Sequence, residues 1–131
     1  MPITLEWYNE AQQVLIQRFE YSWDWNELSE SVKNIEQITG NRDIVLLADF
    51  SNTKILPGGN VLLHGKNNLT QLPDNVKHFI FVADSQLIKT FGSMIFNVIP
   101  SWRSRAQFVR TVDEGRKLVD KIIAEQAAGV Q

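Results

Sequence analysis

Two segments are apolar at every interior position: Ile44-Val45-Leu46-Leu47-Ala48, between Asp43 and Asp49, and Phe79-Ile80-Phe81-Val82, within Val76 to Ala83. Side chains alternate between the two faces of a strand, so a strand with no polar position is covered on both faces. That pattern belongs to parallel sheets, whose crossover helices pack over the strands. Few other folds accept two such segments in one short chain.

The segments around them supply helices. Trp25, Leu28, Val32, Ile35 and Ile38 recur at steps of three and four, Asp24 with Glu27 forms a capping box, and Gly40 stands at the C-cap. A second helix is predicted from Asn60 to about Gln71, although Gly65, Asn67 and Asn68 interrupt it. Asp84 or Ser85 caps a third helix carrying Leu87, Ile88, Phe91, Ile95 and Val98, which Pro100 ends. Thr111 and Glu114 form another capping box, opening a last helix striped by Val112, Gly115, Leu118, Val119, Ile122 and Ile123. Ile3, Leu5 and Trp7 alternate with polar residues, and after the turn at Asn9–Gln12 the stretch Val14–Phe19 completes an antiparallel hairpin. Ala106 to Arg110 is a short strand suited to an edge.

The order is therefore β-β-α-β-α-β-α-β-α, an α/β fold with a mixed, mainly parallel sheet. One domain is expected over residues 1–125, with residues 126–131 as a frayed tail. Composition agrees: 44% apolar and 21% charged residues suit a globular core rather than disorder.

Several function classes lose support. A net charge of −2 with scattered basic residues gives no footprint for nucleic acid. The chain has no cysteine, so thiolate catalysis and cysteine metal sites are excluded. No apolar run reaches the length of a membrane span and the first residues lack a secretory pattern, so a cytoplasmic protein is expected. His64 and His78 lie on different elements without a ligand motif, so neither zinc nor a Ser-His-Asp arrangement is read from them. Asp49 and Asp84 at strand ends resemble a receiver domain's carboxylates, but the further acidic pair that would hold magnesium is missing from the early segment. Pro57-Gly58-Gly59-Asn60 is either an anion-binding nest or a plain turn, and no P-loop lysine follows it. Trp23 and Trp102 fit no helical stripe and are read equally as contact residues or as packing under a loop.

In open α/β sheets ligands meet the loops at the carboxyl ends of the strands. The candidate ligand or partner residues are accordingly Asp49, Ser51, Asn52, Thr53, Pro57, Gly58, Gly59, Asn60, Asp84 and Ser85. Both glycines are expected to supply positive φ or close approach of a ligand.

Asp49-Phe50-Ser51 closing a buried strand, followed by the hydrophobic step Ile55-Leu56, resembles the STAS domain of anti-sigma factor antagonists and sulphate transporters. That family places an Asp-Ser-Ser-Gly-like motif at the next helix, where this chain has Pro57-Gly58-Gly59-Asn60 and no hydroxyl to phosphorylate. The chain thus resembles a divergent SpoIIAA-like (STAS-like) branch of small bacterial proteins, some suspected of binding lipid or other apolar ligands. The resemblance implies a SpoIIAA-like fold and a non-enzymatic binding or regulatory module for a protein or an apolar small molecule, without a cofactor and without serine phosphorylation. A homodimer through an exposed aromatic or an edge strand is also allowed. The alternative is a small hydrolase or transferase working at the strand-end loops.

Overall fold

The computed structural model describes residues 2–129. Five strands, β1 (Ile3–Trp7), β2 (Val14–Phe19), β3 (Ile44–Asp49), β4 (Val76–Val82) and β5 (Ala106–Val109), form one sheet in the order β1-β2-β3-β4-β5. β1 and β2 are antiparallel, with Leu5 opposite Gln17, and the remaining pairs are parallel. The helices are α1 (Trp25–Thr39), α2 (Val61–Thr70), α3 (Gln86–Val98), α4 (Pro100–Arg103) and α5 (Val112–Gly129).

From β2 onward each strand is laid beside the one before it, always in the same direction. Right-handed crossovers taken repeatedly in one direction put every connecting helix on the same face. The packing shows this. Leu15, Phe19, Leu46, Phe79 and Phe81 face a core closed by residues of α1 to α4, such as Val32, Leu69, Ile95 and Trp102. Val14, Ile16, Val45, Leu47, Ile80 and Val82 face the other way, against Val119 and Ile122 of α5 alone. Gly115 lets α5 lie close to the sheet, since a Cβ there would stand 3.0 Å from Leu47 Cδ1.

The helix signals act as expected at most ends. Asp24 accepts from the Glu27 N–H while Glu27 accepts from the Asp24 N–H, and Gly40 takes φ 58° at the end of α1. Asn60 caps α2 by accepting from the Leu63 N–H, and Thr111 accepts from the Glu114 N–H at the start of α5.

The structure bears on four further readings and overturns one, Ile38 as a core position. Pro100 ends the third helix as read: α3 stops at Val98, Ile99 before the proline takes φ −124° and ψ 87°, and Pro100 also opens the short α4, where its missing N–H would have no helical partner. Ile38 is 46% exposed, because α1 turns Ser31, Val32, Ile35 and Thr39 inward instead. Trp23 and Trp102, read equally as contact or packing residues, are buried core residues, which decides for packing. The final helix continues through residues 126–129, read from sequence as a frayed tail, and residues 130 and 131 lie outside the described ones.

Candidate functional site

The stretch after β3 is built by backbone turns and a few buried polar bonds. The Asp49 side chain is 5% exposed; its Oδ1 accepts from the Ser51 N–H at 3.0 Å and from the Ser51 hydroxyl at 2.6 Å. Its Oδ2 lies 3.7 Å from Nε of Arg18, and Arg18 also pairs with Glu6. Thr53 is fully buried: its hydroxyl donates to the Glu20 carbonyl at 2.8 Å and accepts from Trp23 Nε1 at 3.3 Å. The Lys54 and Ile55 N–H groups donate to the Tyr21 carbonyl, so this loop is laced to the one after β2.

Of the candidate residues, Asp49 and Thr53 are therefore structural pins and Ser51 is the donor that satisfies Asp49. Asn52 is exposed and Pro57 half-buried. Gly58 and Gly59 are both exposed, but only Gly59 has positive φ, at 86°; the positive φ expected as one possibility for both does not occur at Gly58. Asn60 is the α2 cap. Asp84 is exposed, and Ser85 stands at the N-cap of α3 without a side-chain bond. The chain brings Asp49 and Ser51 into contact and keeps Asp84 and Ser85 on the following loop.

Beside these loops lies a partly open apolar cavity between the sheet and helices α1, α2 and α3. Six phenylalanines line it: Phe19, Phe50, Phe79, Phe81, Phe91 and Phe96. Phe19, Phe50 and Phe81 form a stack, with centroids 4.0 Å and 4.5 Å apart. Aliphatic residues such as Val32, Leu69 and Ile95 fill the remaining walls, together with Gly65 and Gly92. The cavity has a volume of about 60 Å³, within about 500 Å³ of unfilled space that includes open solvent. Leu28 and Phe91 keep partial exposure and mark that end. Gln17 and Asn68 are the polar side chains in the lining, and no charged side chain lines it among the described residues.

The open end is bordered by the region singled out from sequence. The Trp25 ring stacks on His64 at 5.0 Å and lies 6.4 Å from Phe91, and Trp25 Nε1 donates to the Gly58 carbonyl at 2.8 Å. α1, the 57–60 turn and α2 thus meet at one aromatic latch. None of the ten candidate residues lines the cavity itself. The strand-end rule selects a crevice where strand order reverses. This sheet proceeds in one direction and has no reversal, so its space lies inside one layer, beneath helices.

No protein-family model matches the chain, and no curated protein sequence is significantly similar to it. A solved structure is similar: the crystal structure of an uncharacterised protein of the DUF3478 family from Shewanella loihica PV-4, described as having a SpoIIAA-like fold. The match has a TM-score of 0.62 at 9% identity, covering 89% of this chain and 91% of that one. The fold is SpoIIAA-like. The mixed, mainly parallel sheet expected from the strand pattern agrees with it. Among the described residues, no helix is long and apolar enough to cross a membrane, and no group of three or more His, Cys, Asp or Glu side chains could hold a metal ion.

Proposed function

We propose that this SpoIIAA-like chain is a non-enzymatic binding module that takes a small apolar molecule into the cavity beneath α1, α2 and α3. The observation that carries this reading is the cavity lining, which is hydrocarbon and aromatic apart from two amides. Ligand sites are commonly apolar hollows with a few placed polar groups. A catalytic site needs a group that moves a proton or attacks a bond, and no titratable side chain lines this space among the described residues. The Trp25–His64 latch at the open end is the element that would part to admit a ligand.

The test is thermal unfolding with linear alkanes, beside Val32→Leu, which adds a methylene to the wall. A ligand bound only by the folded state raises the melting temperature according to its concentration relative to its Kd. The wild type is expected to gain stability with ligand, and Val32→Leu to gain less. No shift at solubility-limited ligand, or equal shifts in both proteins, would sink the reading.

The alternative, a small hydrolase or transferase at the strand-end loops, has one observation behind it: the 2.6 Å bond from the Ser51 hydroxyl to Asp49. If Ser51 were a nucleophile, Ser51→Ala would abolish turnover of a generic ester or phosphoester while leaving the melting temperature within a few degrees. The expected outcome is no turnover by either protein.

A further inference from the structure

Gln17 sits at the centre of β2, 3% exposed, with its side chain on the face covered by α1. Its Nε2 donates to the Ser31 hydroxyl on α1 at 2.9 Å. Among the described residues, no protein group donates to its Oε1. Every side-chain nitrogen or oxygen sealed from solvent has a partner among the described residues, so an unpartnered Oε1 is one that a water-sized molecule can touch. The cavity is the space Gln17 lines. The other lining amide, Asn68, is engaged at both ends, accepting from the Ser29 hydroxyl at 3.1 Å and donating to the His64 carbonyl at 2.9 Å.

We infer that the cavity selects a slim, uncharged amphiphile of the alkanol type, with its hydroxyl donating to Gln17 Oε1 and its hydrocarbon chain among the phenylalanines. This rests on the binding-module reading above and adds to it the chemistry of the ligand. Three observations support the choice. An acceptor open to an otherwise hydrocarbon space is satisfied by a donor and left unmet by an alkane. An ionised head group would lose its hydration with no cation in the lining to replace it. The cavity volume of about 60 Å³ is well below the roughly 150 Å³ that holds benzene in an engineered protein cavity, so a chain entering end-on fits better than a ring.

The experiment uses probes matched in heavy-atom number: n-pentane, 1-butanol and diethyl ether, with butanoate as the ionised relative. Each is titrated at neutral pH into the full chain, wild type and Gln17→Met, with binding followed by NMR. The quantity read is the ratio of butanol affinity to pentane affinity in each protein, because comparing proteins cancels the different hydration of the two probes. Gln17→Met is expected to lower this ratio about tenfold, the worth of one hydrogen bond. Butanol, but not pentane, is expected to shift the side-chain amide resonances of Gln17 in the wild type, a readout that stands even if Gln17→Met fails to fold. An unchanged ratio, or no amide shift with butanol, overturns the inference while leaving the binding module standing. A preference for ether over butanol shows the amide presenting its NH₂ instead and overturns the donor assignment, and butanoate binding as well as butanol overturns the uncharged one. If no probe binds the wild type, the binding-module reading itself fails.

Discussion

Gly58 and Gly59 are adjacent in one turn and behave differently. Gly59 has φ 86°, a region that costs an ordinary L-residue roughly 1–2 kcal/mol, and a Cβ there would stand 3.8 Å from His64 Nε2. Gly58 has no positive φ, and an added Cβ would meet nothing within 4 Å. Gly59→Ala should therefore destabilise by about 1 kcal/mol, and Gly58→Ala should stabilise by roughly 0.5 kcal/mol by narrowing the unfolded ensemble. Urea denaturation of both variants measures this, and equal effects would show that the turn is not held as described. Sequence marks this pair as a turn or an anion-binding nest, and φ depends on how the flanking segments are anchored. The anchors are the Trp25 bond to the Gly58 carbonyl and the Asn60 cap, and they come from different elements.

At the scale of elements, the end of the β1–β2 hairpin is tied to α5 through one phenol. The Tyr8 hydroxyl donates to Asp120 Oδ1 at 3.1 Å, across 112 residues of chain. Burial raises its pKa above the ordinary value, and the hydrogen bond and charge of Asp120 add to this, against a smaller lowering by Arg116. The sign follows: a folded pKa above the unfolded one means that folding favours the neutral phenol. The stabilisation is fully present below the ordinary value of 10.0 and is lost as pH rises through the higher folded value. Wild type should lose stability faster than Tyr8→Phe as pH is raised through this window, with parallel curves below it. Melting curves at stepped alkaline pH decide, and curves parallel throughout would remove Tyr8 as the cause. Capping boxes and the hairpin turn were legible locally, because their partners lie within a few residues. The Tyr8–Asp120 bond was not, because nothing near either residue announces the other.

The whole molecule is lopsided: four helices cover one face of the sheet and α5 alone covers the other. Val119 is fully buried at the centre of that single cover. Val119→Asp would place a carboxylate against Ile16, Val45 and Val82 with no partner, a change that costs several kcal/mol, comparable with the roughly 5–15 kcal/mol that hold a domain together. The expected result is loss of a cooperative melt with increased binding of a hydrophobic dye. A sharp transition near that of wild type would mean that α5 is not needed to close this face.

What the residues determined by themselves is the kind and order of the elements, apart from the short α4, which was not read from them. The apolar runs Ile44–Ala48 and Phe79–Val82 read as interior strands, and the caps at Asp24, Asn60 and Thr111 start helices through contacts three residues long. Tertiary structure alone decided strand order, and with it that four helices share one face, because the local sequence of a crossover does not say on which side of its predecessor the next strand is laid. It also decided where Gln17 lies. A glutamine in a strand reads as a solvent-facing position, and here it is buried because β2 runs between β1 and β3 with α1 across it. The cavity follows from the same cause: it is the space left between phenylalanines of β2, β4 and the loop after β3 and the helices above them, so no single stretch of the chain contains it.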